Sequence, residues 1–279
     1  MDSHNPQSPA LPISKIIPNL ITMMALIAGI TSVQKALTGN FEMAVLLLLV
    51  AGILDVMDGA IARALKAQSE FGAQLDSFSD FLAFGVAPAL ILYVWALDDA
   101  GKLGWIAAVV FPVAAALRLA RFNVMANHTD ETPLWKKRFF TGIPTPAGAI
   151  LCLFPLYVWF LSPDTFEGLK WGTPFVALWA ILVAALMVSR IPTFSVKYLK
   201  ISPKMMVPAM AGVALYIAAL FNAPWVTLPI VCIIYVASIP VIFHQYRKLE
   251  KENQAEEENL SSLAFGISPI DTTPNKDDD

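Results

Sequence analysis

The sequence has few charged, histidine and cysteine residues, and each shortage excludes a class of protein. Charged residues make up 15% of the 279 residues and hydrophobic residues 57%, whereas soluble domains average about 25% charged. His4, His128 and His244 stand singly, without the spacing of zinc ligands. Cys152 and Cys232 lie in apolar runs, where buried thiols are expected rather than a disulfide. The net charge of −3 gives no sign of nucleic-acid binding.

Long apolar segments take the place of these groups. A helix needs about 20 apolar residues to cross a bilayer. Eight segments approach that length, and they are 16–37, 41–62, 77–97, 104–122, 145–162, 173–190, 205–222 and 224–243. The sequence therefore predicts an all-α integral membrane protein, a polytopic bundle of about eight transmembrane helices.

The basic residues predict the orientation of this bundle. If the spans alternate from an inner N-terminus, only Lys35, Lys102 and Lys170 lie outside, and the other 16 of the 19 Lys and Arg lie inside. Basic residues accumulate on the cytoplasmic side, so both termini are expected there, in a cell inner membrane.

The two ends of the chain are polar and flank the apolar region. Residues 1–14 lack the basic region and cleavage site of a secretory leader, so the first span is expected to remain in the protein. We expect disorder in 1–14, a membrane domain over 15–246, and a polar, disordered cytoplasmic tail over 247–279.

Four carboxylates interrupt the second and third apolar segments. Asp55 and Asp58 are three residues apart, Asp76 and Asp80 four apart, so each pair lies on one face of its helix. An acidic side chain inside a bilayer costs about 2.5–3.5 kcal/mol. Two facing pairs would repel each other unless divalent cations lay between them, and oxygen ligands favour Mg²⁺ or Mn²⁺.

Small residues and one arginine accompany these carboxylates. Gly59, Ala62 and Gly72 leave room for a ligand or a neighbouring helix. Arg63 is placed to pair with a carboxylate or to hold a phosphate, and the alternative is an arginine that anchors the helix end in the lipid headgroups.

Together these residues spell D-x2-D-G-x2-A-R-x8-G-x3-D-x3-D, which resembles the signature of the CDP-alcohol phosphatidyltransferase family. The resemblance implies a six-helix catalytic core with two further helices here, and two metal ions held by the aspartates. It also implies that Asp80 is the general base and that the small-residue positions accommodate CDP. Family members are homodimers, which the resemblance extends to this chain.

Further polar residues resemble or adjoin the family's nucleotide site. The segment IPNLITMMAL at 17–26 is similar to the family's first helix and adds Asn19 and Thr22 as CDP-binding candidates. A helix cap or an interhelical hydrogen bond is the alternative for each. Ser69 and Gln74, beside Gly72, are further candidates for contact with the nucleotide, and solvated loop residues are the alternative for these two. Asp55 is counted among the CDP-binding residues as well as the metal ligands.

Two later segments, RLARFNV at 118–124 and FFTGIPTPAGA at 139–149, resemble those of the type II, integral-membrane phosphatidylserine synthases. This predicts an acceptor site at Arg118, Arg121 and Asn123, whose donors suit the carboxylate of L-serine. The alternative is that the arginines anchor the helix and Asn123 caps it. Thr145 lines the pocket or satisfies backbone groups.

The remaining basic residues are assigned to the membrane surface. Lys136, Lys137 and Arg138 are expected to contact anionic headgroups. A second set is expected to lie in a solvated loop: Arg190, Lys197, Lys200 and Lys204.

The expected reaction is transfer of the phosphatidyl group from CDP-diacylglycerol to L-serine, giving phosphatidylserine and CMP. Asp80 would accept the serine hydroxyl proton in a direct transfer without a phosphoryl-enzyme intermediate. Another alcohol acceptor, such as glycerol 3-phosphate, choline, inositol or inositol phosphate, is an alternative within the family. A divalent-cation or solute transporter and a membrane scaffold are alternatives outside it.

Overall fold

The computed structural model describes residues 13–126, 139–163, 172–194 and 203–265. These are helical apart from one small two-stranded sheet and short connecting turns. In chain order the elements are α1 (Ile13–Leu37), α2 (Phe41–Ala64), α3 (Glu70–Asp80), α4 (Ala87–Leu92), α5 (Gly101–Ala126), β1 (Phe139–Thr141), α6 (Thr145–Cys152), α7 (Phe154–Leu161), α8 (Gly172–Val188), β2 (Pro192–Phe194), α9 (Pro203–Asn222) and α10 (Pro224–Phe265).

A tight turn joins α1 and α2 into an antiparallel pair that packs along its length. Gly39 has φ +77° and ends α1, since glycine adopts this conformation without strain. The Asn40 side chain accepts a hydrogen bond of 3.1 Å from the Met43 amide and so caps α2. Gly39 and Asn40 are therefore sufficient to end one helix, begin the next and reverse the chain.

The helix that begins with α3 changes its winding twice before it turns back. Phe81–Val86 and Tyr93–Leu97 are π-helical. Pro88 lacks an amide hydrogen and its ring crowds the carbonyl four residues earlier, and the wider π turn relieves this. Gly101, with φ +56°, then reverses the chain into α5.

Glycines set the helix spacing in the centre of the bundle. A Cβ at Gly29 would lie 2.8 Å from the Cβ of Ala83, and one at Gly85 would lie 2.9 Å from the Cβ of Ala115. These distances are shorter than any van der Waals contact, so α1 and α5 approach the π segment after α3 closely, as small residues allow in membrane bundles.

A small sheet of two antiparallel strands, β1 and β2, joins the segment after α5 to the end of α8 and to α10, and its strands are separated in the chain by α6, α7 and α8. The Phe139 ring stacks edge-on against Tyr246 of α10 at 5.2 Å between centroids. Gly142 follows β1 with φ +77°, and a Cβ there would collide with the Met187 carbonyl oxygen.

Aromatic rings gather at the end of the bundle where α2 begins. Phe41 and Trp159 lie 6.5 Å apart, Trp95 and Trp159 5.9 Å, and Phe160 and Trp225 4.4 Å between ring centroids. Such rings are enriched at membrane interfaces. Because α2 rises 1.5 Å per residue, Asp55 lies about 21 Å further along it, towards the opposite end.

Five helices are long and apolar enough to span a membrane: Ile16–Leu37, Phe41–Ala64, Glu70–Met125, Met205–Asn222 and Pro224–Ala255. Two shorter apolar stretches, Thr145–Leu161 and Gly172–Val188, complete the set found among the described residues. The all-α membrane fold is thus confirmed, whereas eight spans and cytoplasmic termini stay predictions. The stretch Glu70–Met125 contains two of the predicted spans, since it turns back at Gly101.

The expectation for the C-terminal tail needs correction. Disorder was predicted from residue 247, but α10 continues as one helix to Phe265. Lys248 Nζ lies 4.0 Å from Glu252 Oε1, one helical turn away. Ion pairs at this spacing stabilise an exposed helix. Residues 266–279 lie outside the described part, as do 1–12, and α1 begins at Ile13 rather than after residue 14.

Candidate active site

The α2–α3 hairpin brings the aspartate pairs together. Lys66 takes a left-handed conformation, φ +50°, just after α2 ends. The Ala67 amide donates to the Ala62 carbonyl at 2.9 Å, which closes the helix end. Ser69 then caps α3, accepting from the Gly72 amide at 3.0 Å. Five residues thus reverse the chain and set α3 beside α2.

Three carboxylates form a cluster in this hairpin. Oxygen atoms of Asp55, Asp76 and Asp80 all lie within 4.8 Å of one another, and each residue is half-buried. Asp80 Oδ1 is buried and has no hydrogen-bond partner in the described part of the chain. An unpartnered buried carboxylate oxygen among like charges suits a divalent cation.

Asp58 is not one of the three carboxylates within 4.8 Å of one another, although the motif groups all four aspartates. Its side chain is buried, and its Oδ2 accepts a short hydrogen bond from the Thr22 hydroxyl of α1. The Ser79 hydroxyl donates to the Thr22 carbonyl at 3.3 Å. The first helix is thereby joined to both helices of the motif.

A cleft of about 160 Å³ opens beside the cluster, between α1 and the α2–α3 hairpin. Its lining includes seven residues expected to bind CDP: Asn19, Thr22, Gly59, Ala62, Arg63, Ser69 and Gly72. It also includes Asp58, Asp76 and residues that the sequence did not single out, namely Pro18, Ala67, Gln68 and Ala73. Asp55 and Gln74 are outside this lining.

The glycines of the cleft admit neighbouring polar groups. A Cβ at Gly72 would lie 3.0 Å from Asn19 Oδ1 and 3.1 Å from Ser69 Oγ. A Cβ at Gly59 would lie 3.4 Å from a guanidinium nitrogen of Arg63. Arg63 is exposed and folds back over Gly59, near the mouth of the cleft.

Arg118 of α5 lies on the bundle side of the cluster. Its side chain is 8% exposed, and its Nη1 donates to the Thr145 hydroxyl at 2.6 Å. Its Nε is buried without a partner, and Asp80 is within electrostatic range. The described residues place no ion pair between them. A desolvated guanidinium with a free donor is suited to an anion.

Arg121 and Asn123 make contacts of a different kind. Arg121 donates to three backbone carbonyls, Val188 at 3.0 Å, Thr141 at 3.1 Å and Ser189 at 3.3 Å. Asn123 Nδ2 donates to Ser77 Oγ at 3.0 Å. Arg121 thus joins the end of β1 to the end of α8, and Asn123 joins α5 to α3.

Most of the other basic candidates fall outside the described residues. Arg190 is exposed. Lys136, Lys137, Arg138, Lys197 and Lys200 lie outside the described residues, as does the side chain of Lys204. Sequence reasoning missed Ser77 and Ser79, which sit between the two motif aspartates of α3, and their position inside the motif was the available signal.

Two family models match the chain. The CDP-alcohol phosphatidyltransferase model covers residues 15–191, from α1 to the start of the second strand. A second model, CDP-alcohol phosphatidyltransferase 2, covers residues 204–240, in α9 and α10. The described cluster and cleft lie within the first match.

Curated relatives share most of the chain's length. The Mycobacterium leprae CDP-diacylglycerol--serine O-phosphatidyltransferase is 34% identical over 245 residues, covering 86% of this chain and 79% of the relative. The enzyme of the same name from Mycobacterium tuberculosis H37Rv is 34% identical over 237 residues, 84% of this chain and 80% of the relative. The enzyme of the same name from Helicobacter pylori 26695 is 36% identical over 177 residues, covering 63% of this chain and 70% of the relative. With its aspartate cluster, adjoining cleft and matched length, the chain belongs to the CDP-alcohol phosphatidyltransferase family.

Proposed function

We propose that the protein transfers the phosphatidyl group of CDP-diacylglycerol to L-serine and releases CMP. The relatives whose matches cover 86% and 84% of the chain are named for this reaction. The observation that carries the proposal is the placement of three carboxylates within 4.8 Å, with the cleft on one side and the buried Arg118 on the other. Donor and acceptor would then meet at Asp80.

The cleft is the proposed site of the CDP group. Asn19, Ser69 and Gly72 provide polar atoms and backbone at one wall, and Gly59 and Ala62 keep the other wall narrow. Arg63 at the mouth is suited to the phosphates, because its guanidinium offers two parallel donors. The acyl chains would extend into lipid, where α1 and α2 expose apolar side chains.

The aspartates are the proposed ligands of two divalent cations, Mg²⁺ or Mn²⁺. The donor set fits, since Asp55, Asp76 and Asp80 present only oxygens and one of these is buried without a partner. Thr22 holds Asp58 through one oxygen and so orients it as the fourth ligand. When bound, such ions neutralise phosphate charge and stabilise the entering and leaving oxygens.

Asp80 is the proposed general base. It would take the proton of the serine hydroxyl as that oxygen bonds to the phosphorus of the phosphatidyl group. The bond from this phosphorus to the CMP oxygen breaks, and CMP leaves as the anion beside Arg63. Arg118 would hold the serine carboxylate. The transfer is proposed to be direct, without a phosphoryl-enzyme intermediate, with the serine oxygen as the nucleophile.

The protein is proposed to lie in a cell inner membrane with both termini and the active site facing the cytoplasm. The distribution of basic residues supports this orientation. A homodimer is proposed on the family resemblance. Accessibility of single cysteines in the turns to a membrane-impermeant reagent would test the topology, and crosslinking in membranes would test the dimer.

Purified protein incubated with CDP-diacylglycerol and a panel of alcohols tests the function. L-serine is expected to give phosphatidylserine and equimolar CMP, with loss of both products after chelation of divalent cations and recovery on adding Mg²⁺ or Mn²⁺. Product formation only with glycerol 3-phosphate, choline or an inositol would reassign the acceptor. CMP release insensitive to chelation would contradict the cation site.

A further inference from the structure

Three buried side-chain atoms lack a hydrogen-bond partner in the part of the chain that the structure describes: Asp80 Oδ1, Arg118 Nε and Tyr235 Oη. They come from α3, α5 and α10. Arg118 is within electrostatic range of both other groups. Buried polar groups are nearly always satisfied, so three unpartnered atoms, two of them electrostatic neighbours of Arg118, point to a polar ligand that binds beside this guanidinium.

Tyr235 lies on the face of α10 that packs into the bundle. Leu228 and Cys232 precede it on that face and are 1% and 2% exposed, and Ile242 follows at 6%. The Cys232 thiol, one turn before Tyr235, contacts the Ile150 carbonyl of α6 at 3.7 Å. This places the tyrosine beside the helix that carries Thr145, the hydroxyl partner of Arg118.

The Tyr235 hydroxyl is buried and makes no hydrogen bond within the described residues. Its neighbouring hydroxyl is that of Thr193 of β2, whose own hydrogen is donated to the Gly142 carbonyl at 2.7 Å. The charged neighbour is the Arg118 guanidinium, which offers donors only. An anion beside Arg118 could therefore accept hydrogen bonds from both Arg118 and Tyr235.

We propose that Tyr235 is a specificity-determining residue of the acceptor site, whose hydroxyl donates a hydrogen bond to the α-carboxylate of the acceptor amino acid next to Arg118. This inference rests on the proposed function and extends it to α10, outside the aspartate motif. The carboxylate lies on the Arg118 and Tyr235 side, and the acceptor hydroxyl on the Asp80 side. An alcohol without a carboxylate would leave two buried donors unpaired, which is costly.

Tyr235→Phe tests this by removing one oxygen and keeping the ring. The KM for L-serine is expected to rise about tenfold, as for loss of a hydrogen bond to a charged group. The KM for CDP-diacylglycerol and kcat should stay within about twofold. The inhibition constant of L-alanine, which has the carboxylate, should rise in parallel, and that of L-serinamide, which lacks it, should not.

Tyr216→Phe is the matched control, since Tyr216 is 41% exposed on α9, and it should leave all constants unchanged. An unchanged serine KM in Tyr235→Phe, or equal rises in the KM of both substrates, would overturn the inference. Such results with normal wild-type phosphatidylserine synthesis refute only the role of Tyr235. Failure of the wild type to use L-serine refutes the proposed function instead.

Discussion

The two sides of the reaction centre are built in different ways. The cation side draws its carboxylates from one stretch, 55–80, folded into the α2–α3 hairpin. The acceptor side draws Arg118, Thr145 and Tyr235 from α5, α6 and α10, which together span more than a hundred residues of the chain. A local hairpin can be read from residue spacing, whereas the acceptor side exists only once the bundle has packed. We therefore expect substitutions on the cation side to affect the chemical step and those on the acceptor side to affect serine binding.

The largest effect is expected for Asp80→Asn. The amide keeps the shape and one ligand oxygen but cannot accept the proton, so kcat should fall about 100- to 10,000-fold, the usual contribution of a general base. Steady-state CMP release at saturating substrates measures this. Thermal unfolding in detergent should show a folded protein, because Asp80 Oδ1 makes no hydrogen bond that the substitution would break.

Asp99→Asn is the matched control, because Asp99 is exposed in the turn before α5. Its rate should equal that of the wild type. Near-normal turnover of Asp80→Asn would assign the base elsewhere, and a rise in serine KM alone would place Asp80 on the acceptor side of the comparison.

The acceptor side is tested by Arg118→Gln beside Arg121→Gln. Arg118 has a free buried donor, and its loss removes a charged partner of serine, so the serine KM should rise about 10- to 100-fold. Arg121 donates to three backbone carbonyls, so its loss should lower stability by about 1–3 kcal/mol and change the serine KM less than threefold.

Serine titrations and thermal unfolding of both variants distinguish these roles. If Arg121→Gln raised the serine KM as much as Arg118→Gln does, both arginines would bind the acceptor, as the i,i+3 spacing predicts. If neither did, the acceptor carboxylate would bind elsewhere.

The helices were largely predictable because each depends on its own sequence. Predicted segments 16–37 and 41–62 differ from α1 and α2 by a few residues at the ends. The π turns after Asp80 were not predicted, and the first of them, Phe81–Val86, follows from Pro88 acting on a helix already formed. The continuation of α10 to Phe265 was missed because composition alone was used to infer disorder, although the segment contains i,i+4 pairs such as Lys248 and Glu252.

The site was predictable only where spacing fixes a face. The spacing predicts that all four aspartates face one another. Asp55, Asp76 and Asp80 are found together, whereas Asp58 is not in that group. The spacing cannot state that Thr22 reaches Asp58, because that contact depends on how closely α1 packs. Arg118 and Arg121 share a helix face by spacing, yet their partners differ. Arg118 donates to the Thr145 hydroxyl, whereas Arg121 donates to the Thr141 carbonyl of β1. Tyr235 carried no signal beyond a hydroxyl in an apolar span.

Thr22→Val should have a smaller effect than the arginine substitution. Asp58 would lose the hydroxyl that holds it, and an unsatisfied buried carboxylate costs about 1–3 kcal/mol. The KM for CDP-diacylglycerol should rise about tenfold while the serine KM stays constant. Thr31→Val is the control, because Thr31 bonds only to the Ile27 carbonyl of its own helix at 2.6 Å. Equal effects of the two variants would show that Thr22 serves α1 rather than the site.

The smallest effect is expected for Gly72→Ala, which tests whether the cleft wall is shaped for a ligand or for packing. Alanine in a helix gains up to about 1 kcal/mol over glycine, but this Cβ would lie 3.0 Å from Asn19 Oδ1 and 3.1 Å from Ser69 Oγ. Because both neighbours are side-chain atoms that can shift, the two effects should nearly cancel in stability. The displaced Asn19 should raise the KM for CDP-diacylglycerol about threefold.

Gly212→Ala separates the gain in helix propensity from the cost of close contacts, since a Cβ at Gly212 meets nothing within 4 Å. It should raise the unfolding temperature and leave both KM values unchanged. If Gly72→Ala behaved in the same way, the close approach of Asn19 would have no part in binding the donor. If instead it unfolded the protein, Gly72 would belong to the packing of α3 against α1, and the cation side would depend on the packed bundle as much as the acceptor side does.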